Sequence, residues 1–313
     1  MRYSFSPQYA IGSKSITGSA SVFQTHFVEN SDLHQISYGI RGVNRSFARD
    51  LFFRSITPSL QFSFRDHKDL RSNRRQSLSL RYISINRDED VDNITDIDVE
   101  APNYNVFNIQ FRSANVNLIQ VNNWAASLQV ANKFSKVSFN YRYRRLFNSN
   151  QQISVRLFAG LFLRNKTEES SDFFSFALDR PTDYLFEYNY LGRSEDSGLF
   201  SQQLIIAEGG FKSKLETPFA NQWLTTANVS TSIWRWFQVY GDVGFLKNKN
   251  INPKFVYDAG MRLNLVQDFF EIYFPFYSNL GWEISEPNYA ERIRFIFTVD
   301  PKSLLGLFRR KWY

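Results

Sequence analysis

The chain has 313 residues, 43% apolar and 17% aromatic, with a net charge of +7 and a mean hydropathy of −0.38. It has no run of about 18 apolar residues, which excludes a transmembrane helix. It has no cysteine, which excludes disulfides and thiolate metal sites. A negative mean hydropathy does not exclude a membrane β-barrel, whose strands turn every second residue to water.

In chain order, Arg2 to Ile11 and Gly18 to Val28 read as alternating strands around a Gly/Ser/Lys turn. His34 to Val43 and Leu51 to Phe64 follow. Arg65 to Asn73 is a charged turn. Arg74 to Arg87 is a long strand whose alternation slips near Tyr82 and Ile83, the pattern of a bulge. Asp88 to Asn103 is an acidic loop with seven carboxylates, followed by strands at Tyr104 to Ser113 and Leu118 to Lys133.

Val137 to Leu163 carries the clearest signal. Val137, Phe139, Tyr141 and Tyr143 alternate with Ser138, Asn140, Arg142 and Arg144. Ile153, Val155, Leu157, Ala159, Leu161 and Leu163 alternate with Gln152, Ser154, Arg156, Phe158, Gly160 and Phe162. Successive side chains leave opposite faces of a strand, so this is a hairpin with one apolar face, turned at Asn148, Ser149 and Asn150. Residues 164–202 form the longest irregular stretch, the mark of a functional segment or of a wrong assignment. Strands resume at Gln203 to Ser213, Trp223 to Ile233, Trp236 to Leu246, Lys254 to Val266, Phe269 to Tyr277 and Glu291 to Val299.

These runs give fifteen candidate strands and no helix. Many exceed the 5 or 6 residues usual in soluble sheets. A strand of about 11 residues tilted near 40° crosses roughly 28 Å, close to the hydrocarbon thickness. Phe52, Phe53, Trp234, Trp236, Phe237, Phe269, Phe270, Tyr273, Phe274, Trp312 and Tyr313 lie near predicted strand ends, where aromatic rings suit a membrane interface. The fold expected is all-β: one domain over 1–313, an antiparallel transmembrane barrel of 12 to 14 strands with one long loop at 164–202. Its partner would be outer-membrane lipid. One of the fifteen runs would then fold into a loop.

The sequence offers little catalytic chemistry. The three histidines, His26, His34 and His67, form no H-E-x-x-H pair, so a zinc peptidase site is excluded. His67 beside Asp66 and Asp69 reads as a solvated turn. The acidic loop lacks the glycine and terminal glutamate of a calcium hand. Gly209-Gly210 belongs to no nucleotide-binding pattern. No enzyme activity, metal or cofactor is expected of this chain. Its net charge on a soluble domain would suggest a polyanion. Arginine inside strands suits a polar lumen better, and no nucleic-acid partner is expected. Arg81, Arg142, Arg144 and Arg156 are the candidate lumen-facing residues. They would either brace the interior with acidic partners or line a pore that favours anions.

Three segments carry a resemblance: residues 179–203, the run Y-D-A-G-M-R-L-N-L-V-Q-D-F-F-E-I-Y-F-P-F-Y-S, and the ending I-R-F-I-F-T-V-D-P-K-S-L-L-G-L-F-R-R-K-W-Y. Their wording resembles the C-terminal, barrel-like region of large gluzincin-type (aminopeptidase-like) metallopeptidase proteins of Bacteroidetes. The resemblance implies a membrane-embedded tail of a larger exported protein, with export signal and zinc domain preceding it. It fits an N-terminus, Met1 to Ser6, with no apolar signal core. It carries over no catalytic residue. The expected location is the bacterial outer membrane, with both chain ends and any attached peptidase domain or other partner on the periplasmic side. Two rivals are a solute-transport or secretion barrel with an arginine-lined lumen, and a soluble β-sandwich that binds glycans through exposed aromatics.

Overall fold

The computed structural model describes residues 1–10, 15–48, 51–65, 71–88, 103–147, 151–167, 171–188, 199–234, 236–266 and 270–297. The chain is all-β and dominated by one large antiparallel sheet. Nine strands follow in sequence, each paired with the one before: β1 (Arg2–Ala10), β2 (Ser15–Phe27), β3 (Leu33–Ala48), β4 (Leu51–Arg65), β5 (Arg74–Arg87), β6 (Asn103–Val116), β7 (Gln120–Ala131), β8 (Phe134–Leu146) and β9 (Gln152–Asn165). The chain then leaves the sheet, forming only the two-residue pair β10 (Phe176–Ala177) and β11 (Phe219–Ala220). It returns with β12 (Trp223–Ser232) beside β9, then β13 (Phe237–Lys247), β14 (Lys254–Val266) and β15 (Phe270–Ser278). The short strands β16 (Gly281–Trp282) and β17 (Arg294–Phe297) both pair with β15. Among the described residues β1 pairs only with β2, and no ladder joins it to the far edge. The barrel expected from the sequence is therefore seen as a 15-stranded antiparallel sheet without a closing ladder.

The sheet's two faces differ in chemistry, and the register shows how. Leu60, Leu80, Ile109, Leu128, Val137, Leu161 and Trp223 are successive cross-strand partners over seven strands. A second row runs Phe62, Leu78, Phe111, Ala126, Phe139, Ala159, Thr225, Phe245 and Phe255. Neighbours in such rows stand about 5 Å apart, so each row is a continuous apolar band. Among the described residues no element packs over these bands. Leu161 is 46% exposed and Phe245 52%. The opposite face carries the other phase, for example Gln61, Ser79, Gln110, Ser127 and Ser138 in one row.

The excursion between β9 and β12 covers this second face from β4 to β15. Its Phe176, Leu178, Phe211 and Leu215 bury against Phe158, Leu224, Leu246 and Val256 of the strands. A second cluster sets Phe174 and Tyr184 against Ile83, Ile85, Tyr104, Val106 and Phe134. The core of the molecule lies between sheet and excursion, and the strand side chains in it come from the phase opposite to the exposed bands.

Several sequence readings change here. Gln203 to Ser213 is not a strand. It lies in the excursion, with one isolated bridge from Gln203 to Phe295, and its apolar residues meet the sheet rather than continue it. The expected bulge at Tyr82 and Ile83 is absent, since β5 keeps register with both neighbours. The alternation slips because Ile83 and Ile85 sit beneath Phe174 and Tyr184, so both faces are apolar at that end. Register shifts fall instead in the β3–β4, β8–β9 and β14–β15 ladders. Phe53 and Tyr273 are buried on the covered face, not at a rim. Trp234 and Trp236 stand exposed in the β12–β13 turn, as expected. The acidic loop beyond Asp88, the turn 148–150, His67, Phe269, Trp312 and Tyr313 lie outside the described residues.

Candidate functional site

The covered face holds the charged chemistry of the chain, and strand alternation selects it. On β13, Gln238, Tyr240 and Asp242 share one phase, and Val239, Gly241 and Val243 the other. The same selection on neighbouring strands builds one polar row: Asn123, Arg142, Arg156, Asn228, Asp242, Asp258 and Ser278 are successive cross-strand partners. Seven polar residues in line on a covered face need hydrogen-bond partners, because burial without them costs several kcal/mol each.

Most partners come from the excursion. The Arg156 guanidinium donates to Asn140 Oδ1 (3.3 Å), Asn228 Oδ1 (3.1 Å) and the Glu208 carbonyl (2.7 Å). Lys212 Nζ pairs with Asp242 at 2.7 Å, while the backbone N–H groups of Lys212 and Ser213 each donate to Asp258 Oδ2 at 2.7 Å. Gly210 makes this approach possible. Its φ is +78°, and a Cβ there would stand 2.4 Å from Arg156 Nη1. Two rows farther along the same face, Arg262 pairs with Glu271 at 3.3 Å and donates to Tyr273 and Gln238.

A second anchor is Lys136 on β8, 4% exposed. Its ammonium donates to the carbonyls of Phe174 (2.8 Å) and Ser175 (3.4 Å) and lies 4.6–5.5 Å from the ring centres of Tyr184, Phe176, Phe162 and Phe134. Cation–π attraction strengthens when the cation is desolvated, so this lysine ties excursion to sheet. Tyr184 donates to Gln129 Oε1, and Tyr104 donates to the Tyr184 carbonyl. Farther along, Asp179 Oδ2 accepts the Leu215 N–H at 2.9 Å, and burial pushes its carboxyl above the ordinary value of 3.8.

All four sequence-predicted residues, Arg81, Arg142, Arg144 and Arg156, lie on the covered face. The structure brings together Arg142, Arg144 and Arg156, which line one cavity of about 500 Å³. Arg81 stands apart on β5, donating to Asn108 Oδ1 (2.9 and 3.2 Å) and pairing with Glu187 of the excursion. Lys212, Arg262, Asp242, Glu271 and Tyr240 line the same cavity and were not singled out from sequence. Their strand phase was the available signal for four of them. Lys212 had none, since its segment was read as a strand.

Among the described residues no group of three or more His, Asp or Glu side chains would hold a metal ion. Comparison with known proteins finds no family model that matches the chain and no curated relative.

Proposed function

We propose that this chain is the wall and internal plug of an outer-membrane β-barrel, a membrane-embedded module with no catalytic site of its own. The observation that carries this reading is the unbroken apolar row from Leu60 to Trp223, half-buried to exposed on the face away from the excursion. In water a band of that length would be an aggregation surface; against acyl chains it is the required one. The strand count agrees. Leaving out the two-residue β16, the 15-stranded sheet holds fourteen strands (15 − 1), the even number of a single-chain bacterial barrel. β17 runs antiparallel to β15, so pairing of β17 with β1 would close the ring in the antiparallel sense.

The connections support a sidedness. The two longest, residues 88–102 and 166–222, both leave the end of the sheet opposite Met1, while the turns at the Met1 end have eight residues or fewer. Short turns are periplasmic and long loops external in outer-membrane barrels. Both ends of the chain would then face the periplasm. The resemblance to Bacteroidetes metallopeptidase tails adds that a peptidase domain precedes the barrel and is held there.

The test is direct. Expressed with an export signal, the chain should fractionate with outer membranes and show heat-modifiable migration on a detergent gel. A chain that stays monomeric in buffer without detergent overturns the proposal. A transport reading is favoured by one feature, the cavity with its arginines. Channel conductance in planar bilayers that disappears on Arg142→Ala plus Arg156→Ala would support it over a plain anchor.

A further inference from the structure

The cavity beside Arg142 has an unbalanced charge. Among the described residues five cationic side chains line it, Arg142, Arg144, Arg156, Lys212 and Arg262, against two anionic ones, Asp242 and Glu271. Asp242 and Glu271 are each engaged already, by Lys212 at 2.7 Å and Arg262 at 3.3 Å. The hydrogen bonds that Arg156 donates go to neutral oxygens only, two side-chain amides and one carbonyl, and neither Glu208 nor Asp242 forms an ion pair with it. Arg142 has no hydrogen-bond or ion-pair partner among the described residues, and it is the direct cross-strand partner of Arg156. Like charges placed opposite one another on a sheet destabilise it. Strand alternation holds these two on the same face and denies them separation.

The rest of the lining suits a ligand rather than solvent alone. Tyr240 lines the cavity and is 5% exposed, and its buried hydroxyl has no hydrogen-bond partner among the described residues. Ile206, Ile296 and Tyr273 add an apolar side. A volume of about 500 Å³ lies within the 300–1,000 Å³ common for small-molecule sites.

We propose that this cavity binds a small organic anion, its carboxylate or phosphate oxygens bridging Arg142 and Arg156 and its body lying against Tyr273, Ile206 and Ile296. A planar guanidinium presents paired N–H donors that match either oxyanion. The anion would relieve the Arg142–Arg156 repulsion and lock the excursion, through Arg156 and the Glu208 carbonyl, onto β9. The inference does not depend on the membrane reading, because the cavity lies between sheet and excursion whatever surrounds the outer face.

The test uses the full chain folded in detergent micelles, titrated calorimetrically with inorganic phosphate and, separately, with benzoate. We expect saturable one-site binding of at least one probe. Binding of phosphate alone points to a phosphorylated ligand, and of benzoate alone to a carboxylate. Arg142 is exposed, so Arg142→Gln should fold and weaken binding tenfold or more. Arg54→Gln, which removes the same charge from the opposite face, should leave binding unchanged. No saturable binding of either probe by the wild-type chain, or equal binding by Arg142→Gln, overturns the proposal.

Discussion

On β9 two chemistries share one backbone. Ile153, Val155, Leu157, Ala159, Leu161 and Leu163 face away from the excursion, and Leu157, Leu161 and Leu163 are 43%, 46% and 60% exposed. Arg156, Phe158, Gly160 and Phe162 face it, and each meets a named partner there. The uncommon side of this comparison is the bare one. An ordinary soluble sheet buries its apolar phase and wets its polar phase, whereas here the excursion covers the polar phase and leaves the apolar phase uncovered. What an alternating strand buries is decided by what lies beside it.

The comparison can be broken from either face. The largest effect is expected at Phe176, which is 1% exposed and packs on Phe158 and Phe162 at ring separations of 5.7 and 5.0 Å. Phe176→Ala should cost about 3–5 kcal/mol, read as protease cleavage within 171–222 at denaturant concentrations that leave the strands intact. Next is the bare face. Leu157→Arg should cost about 2–4 kcal/mol in a bilayer, the penalty for a cation near the midplane. In water the same exposed position would change stability by only about 0.5 kcal/mol. Refolding into lipid vesicles across a denaturant series separates the two values.

A smaller effect sharpens the covered face. A Cβ at Gly160 would stand 2.6 Å from the Phe176 ring, so Gly160→Val should cost about 1–3 kcal/mol through overpacking. The cost should vanish in a Phe176→Ala background, a coupling measured by a double-mutant cycle. The smallest is a pH effect at Asp179. Burial raises its folded pKa above 3.8, so the folded chain binds this proton more tightly than the unfolded one. Its contribution is full below pH 3.8 and is lost as pH rises through the raised value. Asp179→Asn should remove that component from the pH dependence of the unfolding midpoint.

The sheet was readable in the sequence because strand alternation is a local rule. Val137 to Tyr143 and Ile153 to Leu163 state their outward face by alternation alone, and all four candidate arginines fell on the opposite phase. The excursion was not readable, because its order comes from distant partners. The stretch from Leu204 to Phe211 contains enough apolar residues to read as a strand, yet they bury on Tyr240, Tyr273, Phe158 and Leu224. Ile83 and Ile85 misled for the same reason, since a neighbour about 90 residues later makes their face dry. Lys136 was not among the residues singled out from the sequence. Only the fold shows four aromatic rings around it, drawn from β8, β9 and the excursion.

The measurement closest to the central claim exploits the absence of cysteine, which makes single-cysteine labelling unambiguous. Spin labels at Leu157→Cys on the bare face and Ser59→Cys on the polar phase of β4 are compared in lipid vesicles for collision with oxygen and with a water-soluble nickel chelate. A label at 157 that meets oxygen but is shielded from nickel, with the reverse at 59, is the predicted result. Nickel access at 157 equal to that at 59 would contradict a lipid-facing wall.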